Sequence, residues 1–398
     1  MGLPDRVTWR KWDPLRGRIP VRKRSMYELV RKFRMFGATD DRDKVYALAG
    51  IAETVENAIG ATVRISYAPN TEILDVFWDL IDTELRHPKS IIFLNHACGI
   101  TKPHDFPSWM PLWYEADSYA KSGPRPFEEL QISPQITYQA SKHSQPSANM
   151  HKPTKSLQIT ATFLSNIYQI GEVFNRDLPE ADHAAPLQRW AGMLDPSLAG
   201  LQYFHHTMLL LRRAQRVFAE EAEKGFRDFV QKKYLDKEQL IDKFFATLLA
   251  STSDEGTKYF TNPIADAKTA AKLRLLAGRQ TEGTGHVSDE VVHHVQNRIA
   301  DVCHGRRLFR CGTGVHVNGK GVDANFGLCP SDTEVGDLVV LFPGAKTMHV
   351  IRMVERDEGG RDVFGLVGEV YVHDWMRGQL EGDDLTGGHL KGMELWLR

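Results

Sequence analysis

The stretch DVFGLVGEVYVH, residues 362–373, alternates apolar residues with glycine and polar residues, which is typical of β-strands. The strings at 306–311, 334–344 and 349–357 have the same character, and turn-forming residues bound each of them. We therefore predict that the chain from Arg306 onward forms a small antiparallel β-sheet or barrel.

Upstream of this β-rich region, the sequence mostly favours helices. Ser25 and Glu28 match a capping box, in which each side chain satisfies an unpaired backbone donor at the helix start. Thr71 precedes a second stretch with helical spacing of apolar residues, and 186–250 and 289–305 show similar patterns. These stretches predict a mainly helical body.

Three upstream stretches depart from the helical pattern. The string SIIFLNHA at 90–97 predicts a buried strand, and 157–174 alternates well enough for one or two strands. The two prolines of 106–113 exclude a regular helix, so we predict an extended segment that buries Trp109 and Trp113. The predicted fold class is α+β, a mainly helical body with a small C-terminal antiparallel β-sheet or barrel.

The chain of 398 residues is long enough for several domains. The patterns above divide it into five segments. We predict a basic N-terminal arm at 1–24, a helical region with a buried strand at 25–115, a loop or insertion at 116–155, strands followed by a helical region at 156–305, and a C-terminal β-rich region at 306–398.

Composition and charge exclude several classes of protein. The 50 Lys and Arg nearly cancel the 51 Asp and Glu, so no overall field attracts nucleic acid or an anionic membrane. No apolar run approaches the roughly 18 residues that span a bilayer, and the first residues lack the apolar stretch of a signal peptide. The four cysteines are too few for a disulfide scaffold, which favours a reducing compartment. Together these features lead us to expect a cytoplasmic protein without membrane association.

Basic residues are concentrated in 1–24, where Lys and Arg far outnumber Asp. Trp9 and Trp12 could stack on bases, so one interpretation is nucleic-acid binding. We favour a surface arm that lies on the acidic part of its own chain, and we do not expect nucleic acid among the partners.

The string GVHVNGKG at 314–321 has the glycine and lysine spacing of a phosphate-binding loop. Such a loop needs Ser or Thr after the lysine and a helix behind it. Gly321 occupies the hydroxyl position, and the residues that follow lack helical spacing. We therefore predict a loop between strands.

One candidate zinc site consists of Cys303, His304, Cys311 and Cys329. These residues lack the closely spaced pairs of cysteine ligands that are typical of zinc sites. We expect buried, reduced thiols, and the isolated Cys98 offers no better ligand set. The signatures of zinc proteases, α/β-hydrolases and dinucleotide-binding folds do not occur. We predict no catalytic residue, cofactor or metal ligand.

The string ATDDRDKVYALAGI at 38–51 resembles the ATDPRDKVYALLGL segment of fungal heterokaryon-incompatibility (HET-domain) proteins. Further resemblances follow in the family's order: ISY at 65–67, FPSWMPLW at 106–113, FFATL at 244–248, GRRLF at 305–309, VGDLV at 335–339 and LVGEVYVH at 366–373. The family's ALSYxWG and LWIDAICINQ signatures do not occur in this sequence. The chain therefore resembles the region C-terminal to the HET domain proper.

The matched strings contain the residues that we expect to carry the architecture. Buried tryptophans anchor a core, a helix start can use charged side chains, and a Gly-Asp pair makes a turn into a strand. None of these roles requires a substrate. The predicted structural residues are Arg42, Asp43, Tyr46, Trp109, Trp113, Gly336, Asp337, Gly368 and Glu369.

The resemblance implies a part in fungal non-self recognition and in the programmed cell death that follows fusion of unlike cells. We expect a non-enzymatic regulatory or scaffold region that acts through protein partners. The alternative is an enzyme with a site between the helical body and the C-terminal sheet. Its polar candidates are Asp43, His96, His304 and His373.

Overall fold

The computed structural model describes residues 25–34, 36–49, 63–86, 90–97, 102, 106–113, 124–130, 138–141, 144–179, 182–195, 240, 243–250, 289–312, 316–317, 320–321, 325–376 and 392–398. Its α-helices with defined bounds are α1 (Met26–Phe33), α2 (Asp43–Tyr46), α3 (Ile73–Arg86), α4 (Ala184–Leu194) and α5 (Asp289–Cys303), and residues 243–248 are also helical. The 3-10 helices are η1 (Ile92–His96), η2 (Phe127–Leu130) and the short turns Lys152–Thr154 and His373–Trp375.

Strands form the centre of the described part. They are β1 (Ala148–His151), β2 (Ser156–Ile170), β3 (Arg306–Cys311), β4 (His316–Val317), β5 (Lys320–Gly321), β6 (Asn325–Pro330), β7 (Leu338–Leu341), β8 (Met348–Arg356), β9 (Asp362–Val372) and β10 (Met393–Leu397). β4 and β5 form a separate hairpin, and the other eight strands belong to one sheet.

Six of the eight strands close a barrel. β2 pairs with β3, β3 with β6, β6 with β9, β9 with β8, β8 with β7, and β7 pairs again with β2, every pair being antiparallel. β1 and β10 also pair with β2 in antiparallel order, and β10 runs parallel to β9. The ring of pairings leaves none of the six strands without two neighbours.

Strand β2 has the largest number of partners in the sheet because it is long and irregular. Residues 157–161 pair with β10, 162–166 with β7, and 167–170 with β3. The register shifts once within the pairing with β7 and once within the pairing with β3. Such irregularities bend a strand and increase its twist, which lets one strand serve several neighbours in turn.

The barrel wall separates two hydrophobic cores. Val339 and Leu341 of β7 lie in the first core, together with residues of α4 and α5. Val340 of the same strand lies in the second core, together with residues of α1 and α3. Because successive residues of a strand point to opposite faces, β7 is buried on both sides.

The predicted mainly helical body is wrong. The centre of the described part is an eight-stranded sheet, and the helices around it are short. Its longest strand, β2, lies far upstream of the region predicted to be β-rich. Local periodicity missed this architecture because the partners of β2 are remote in sequence, and a pattern of apolar residues does not report which strands pair.

The predicted strand at 90–97 is also wrong, because η1 occupies Ile92–His96. An apolar run this short does not distinguish a strand from a buried helical turn by periodicity alone. Its last two residues, Asn95 and His96, have buried polar side chains with partners in other elements.

Several local predictions are confirmed. The Glu28 backbone N–H donates to the Ser25 hydroxyl at 3.1 Å, which caps α1. A helix follows Thr71, and β2 occupies most of the region predicted to alternate as strands. The segment 106–113 contains neither an α-helix nor a strand, as its prolines indicate.

Other predictions fall outside the described residues, namely the basic arm at 1–24 and most of the apolar helical pattern within 186–250. Among the helices that the structure describes, none combines the length and the apolar character needed to cross a bilayer.

Adjacent residues of β2 provide a test of its role in the barrel. Ile167 is 1% exposed and Tyr168 is 43% exposed. We expect Ile167→Ala to lower the free energy of unfolding by about 2–4 kcal/mol, because it removes buried apolar contacts, and Tyr168→Ala to lower it by no more than about 1 kcal/mol. Urea unfolding of both variants measures the difference, and equal losses would contradict the assigned register.

Candidate functional site

Seven polar side chains with little or no exposure meet where η1 and η2 pack against β3 and the β8–β9 pair. Polar groups are buried in proteins at a cost unless they bond to one another, so their partners show what they do. We refer to them as the buried polar cluster: Asn95, His96, Glu128, Arg306, Thr347, His349 and Glu369.

The sheet register brings two titratable members of the cluster side by side. His349 in β8 lies directly opposite Glu369 in β9. Directly opposite residues of an antiparallel pair project from the same face, so both side chains face η1 and η2. Thr347 immediately precedes β8, and Arg306 begins β3.

Hydrogen bonds connect η1, η2 and the barrel through these side chains. Asn95 Oδ1 lies 3.0 Å from His349 Nε2 and 3.3 Å from Thr347 Oγ1. Thr347 Oγ1 lies 3.2 Å from Glu369 Oε2, and the Phe127 backbone N–H donates to Glu369 Oε1. One connected set of contacts therefore joins both 3-10 helices to the barrel.

Burial changes the charge states of the two opposed side chains. Loss of solvent lowers the pKa of His349 to about 3, so its ring is neutral at pH 7. Burial also raises the pKa of Glu369 to about 8, although the nearby Arg306 opposes this shift. The nearest approach of Arg306 Nη2 to Glu369 Oε1 is 4.0 Å.

Arg306 is held mainly by groups other than Glu369. Its guanidinium donates to the carbonyl oxygen of Val302 at 2.5 Å and to the carbonyl oxygen of Arg125. The guanidinium carbon also lies 4.0 Å from the centre of the Phe127 ring, a favourable position for a cation–π contact. Arg306 thus fixes η2 and the end of α5 to β3.

Ion pairs extend the cluster to α1. His96 Nε2 lies 3.2 Å from Glu128 Oε1, and Arg31 pairs with the same oxygen. Arg34 holds Glu129 with two bonds of 2.8 Å. Burial lowers the pKa of His96 and tends to raise that of Glu128, but the contacts of Glu128 with His96 and Arg31 bring its pKa below the ordinary value.

The cluster has the chemistry of a structural joint. Asn95, Thr347, His349 and Glu369 are almost completely buried and contact one another. A substrate would have to displace these contacts to reach them. In the part of the chain that the structure describes, no group of three or more His, Cys, Asp or Glu side chains is placed to hold a metal ion.

Arg42 joins the start of α2 to the segment before α3. It makes a two-bond contact with Asp40, and its Nη1 donates to the carbonyl oxygens of Ala68 and Thr71 at 3.2 Å each. The guanidinium carbon lies 5.4 Å from the Tyr67 ring centre. Arg42 therefore links the start of α2 to the loop before α3.

Asp43 and Tyr46 complete this contact between two of the matched strings. The Tyr67 hydroxyl donates to Asp43 Oδ1 at 2.5 Å, and the Tyr46 hydroxyl donates to the Ser66 carbonyl oxygen at 3.1 Å. The two tyrosine rings meet edge to face at 5.2 Å. The string at 38–51 is thus bonded directly to the string at 65–67.

Trp109 and Trp113 are buried in the second core. The Trp109 indole donates to the Lys155 carbonyl oxygen at 3.2 Å, and its ring meets Trp78 edge to face at 5.5 Å. Trp113 packs edge to face on Tyr27 at 5.5 Å. The predicted burial of both tryptophans is confirmed.

Ser108, between the prolines of the same segment, attaches it to the barrel. Its hydroxyl accepts a hydrogen bond from the Leu366 backbone N–H of β9 at 2.8 Å and donates to the Arg398 carbonyl oxygen. The Arg398 backbone N–H in turn donates to the Phe364 carbonyl oxygen of β9. The segment 106–113 is therefore fixed beside β9 and β10.

Residues 314–385 match the family model of the Het-6 beta-barrel domain. This region is related to heterokaryon-incompatibility proteins. The match confirms the resemblance of the C-terminal region. No curated protein and no solved structure matches the chain.

The matched part of the Het-6 beta-barrel domain includes β4 to β9. The barrel itself is larger, because β2 and β3, which close the ring, precede the matched residues. β10, which follows them, pairs with both β2 and β9.

An ion pair between a buried carboxylate and a partly exposed arginine fixes the turn that leads into β7. Gly336 has a φ of +99°, which favours glycine, and Asp337 is almost fully buried. Arg352 holds Asp337 with bonds of 2.7 and 2.9 Å and also pairs with the exposed Glu334 at 2.9 Å. Asp337 Oδ2 accepts the Glu334 backbone N–H, as expected for a turn.

Gly368 lies at a break in the β8–β9 register. It pairs with Val350 and has a φ of +147°, and the register shifts between Val350 and Ile351. Glu369, the next residue, belongs to the buried polar cluster. An unusual backbone conformation thus immediately precedes the buried carboxyl group.

The polar candidates for an enzyme lie in different environments. His304 Nδ1 accepts a hydrogen bond from the Arg176 backbone N–H at 3.3 Å, and His373 Nδ1 lies 3.0 Å from the Tyr371 hydroxyl. Asp43 accepts a hydrogen bond from Tyr67, and His96 contacts Glu128, as described above. The four candidates Asp43, His96, His304 and His373 therefore have different partners.

The thiols of Cys303, Cys311 and Cys329 are free and buried, as expected from their spacing. Burial raises the pKa of Cys311 to about 11 and that of Cys329 to about 12, and it raises the pKa of Cys303 further. Cys98 lies outside the described residues.

The string at 314–321 lies between β3 and β6, as the prediction of a connection between strands requires, but its described residues are themselves two short strands. β4 and β5 pair as a hairpin, and β6 is the next element. A phosphate loop would place a helix there.

The local sequence pattern does not single out Asn95, Thr347, His349 or Arg306 as a group. Asn95 is the one signal, because it interrupts the apolar run of η1 together with His96. Thr347 and His349 alternate with apolar residues as ordinary strand residues do. Their association with Glu369 depends on the pairing register of β8 and β9.

The ion pair between Asp337 and Arg352 provides a test of the barrel. We expect Asp337→Asn to lower the free energy of unfolding by about 1.5–3 kcal/mol, because it removes the charge from a buried side chain that accepts two part-buried hydrogen bonds. Glu334→Gln, which alters the exposed contact of the same arginine, is the control and costs less than about 1 kcal/mol. Equal losses in thermal or urea unfolding would contradict a special role for Asp337.

The buried thiols predict a labelling pattern. At pH 8 we expect iodoacetamide to modify Cys303, Cys311 and Cys329 far more slowly in the native chain than in urea, because burial blocks access and raises each pKa. Peptide mass spectrometry identifies the modified residues. Native labelling at the rate of a free cysteine would contradict their burial.

Proposed function

We propose that this chain is a non-enzymatic regulatory or scaffold region of a heterokaryon-incompatibility-related protein. It acts in the cytoplasm through contacts with other proteins, in fungal non-self recognition and the cell death that follows. The match at 314–385 supports the family relation, and the role is our inference from the contacts of the described residues.

The observation that carries the proposal is that the polar side chains described above hold segments of the chain together. Those of the buried polar cluster join η1 and η2 to the barrel. Arg42 and Asp43 join loops, and Asp337 fixes a turn. Groups that would serve catalysis in an enzyme are here occupied in holding segments together, which favours a rigid scaffold.

A scaffold role is also consistent with the individual partners of the enzyme candidates. A general acid or base must lie within hydrogen-bond reach of the group that it serves, and catalytic groups work in concert at one place. His304 and His373 have backbone and tyrosine partners in different elements. This arrangement does not favour the enzyme alternative.

Controlled expression in a filamentous fungus tests the proposal. We expect induction of the full-length chain to reduce hyphal viability, and we expect Asp43→Asn, His304→Gln and His373→Gln to retain that effect at equal protein levels. Asp337→Asn, which weakens the fold, should reduce the effect more than its control Glu334→Gln.

Two outcomes would contradict the proposal. Unchanged viability in every genetic background would count against a role in incompatibility. Loss of the effect in one of the three substituted chains, with an unchanged melting temperature, would favour an enzyme instead.

A further inference from the structure

The Thr347 hydroxyl has too few hydrogens for the acceptors around it. A hydroxyl carries one hydrogen and can accept two further bonds. Two side-chain oxygens lie within bonding distance of Thr347 Oγ1, namely Asn95 Oδ1 at 3.3 Å and Glu369 Oε2 at 3.2 Å. Thr347 can donate to only one of these oxygens. The residue at the other contact must therefore carry the hydrogen and donate it to Thr347 Oγ1.

The hydrogen on His349 indicates which group donates in the contact between Thr347 and Asn95. With its ring neutral, His349 Nε2 can carry the hydrogen and donate to Asn95 Oδ1, at 3.0 Å. The Asn95 oxygen then faces both His349 and Thr347 as an acceptor. Thr347 donates to Asn95, and the bond between Thr347 and Glu369 requires a hydrogen on the carboxyl group.

We propose that Glu369 is protonated in the folded chain at neutral pH and that its carboxyl O–H donates a hydrogen bond to Thr347. The resulting bonds run from Glu369 to Thr347 and from Thr347 to Asn95, and they fasten η1 to the barrel. The attachment of η1 is therefore sensitive to pH, and it weakens when Glu369 loses its proton.

The charged groups around Glu369 agree with a neutral carboxyl group. From β3, Arg306 favours ionisation, but it lies 4.0 Å away and also donates to two carbonyl oxygens. From η2, the negative charge of Glu128 opposes ionisation, and from β8 the neutral His349 adds no charge. Burial is the largest effect and favours the protonated form.

The sign of the pH dependence follows from linkage. The pKa of Glu369 is raised to about 8 in the folded chain, above the value of about 4.3 for an exposed glutamate. Its contribution to stability is complete below the unfolded pKa and is lost as the pH rises through the folded pKa. Between the two values the folded chain binds one more proton, so the unfolding constant rises about tenfold per pH unit.

The variant Glu369→Gln separates the effect of proton binding by Glu369 from that of the other titratable groups. Its amide oxygen can accept the Phe127 N–H and its amide nitrogen can donate to Thr347, so it mimics the protonated carboxyl group without titrating. Urea unfolding of both chains from pH 5.5 to 7.5 gives the ratio of their unfolding constants. We expect the wild-type constant to rise about tenfold per pH unit relative to that of the variant.

Two results would overturn the proposal. Parallel pH profiles would show that Glu369 does not take up the proton. A wild-type unfolding constant that falls relative to that of the variant as the pH rises would show that an ionised Glu369 paired with Arg306 supports the fold.

Two further measurements address the possibility that Glu369→Gln does not fold. Infrared spectra of the wild-type chain should show the carbonyl stretch of a protonated carboxyl group at pH 7 and lose it above pH 9, and its absence at pH 7 would contradict the proposal. Thr347→Val keeps the shape and removes the bridge, so it should speed hydrogen exchange in η1 and leave exchange in β2 unchanged. Unchanged exchange in η1 would also contradict the proposal.

Discussion

The antiparallel pairing of β2 with both β7 and β3 closes the barrel, and the two cores are built on its wall. A closed ring leaves no edge strand with unpaired backbone groups among its six members. β7 is buried on both faces only because the ring places one core on each side. The helices pack against this wall, so their positions follow from the sheet.

The buried polar cluster adds a second level of organisation to the barrel. Hydrophobic contacts hold η1 and η2 near the wall without fixing their orientation, because such contacts have little direction. The hydrogen bonds in which Asn95, Phe127 and Thr347 take part supply that direction. Such a network is stabilising only when its members are satisfied, which makes the protonation of Glu369 a condition of the joint.

The elements that depend on neighbouring residues could be predicted from the sequence. Ser25 caps a helix because of its spacing to Glu28, and the prolines around Trp109 exclude a helix. The closure by β2 could not be predicted, because its partner β7 follows it by more than a hundred residues and alternation does not encode register. The joint between Asn95 and Glu369 depends on that same register.

The match to the Het-6 beta-barrel domain covers β4 to β9, whereas the closed barrel also requires β2 and β3. The structural unit therefore extends beyond the matched residues. Native-state hydrogen exchange tests the central role of β2 most directly. We expect the amides of 162–167 to exchange only through global unfolding, as slowly as the most protected amides of β8 and β9. Exchange in β2 that is much faster than in the β8–β9 pair would contradict a barrel closed by this strand.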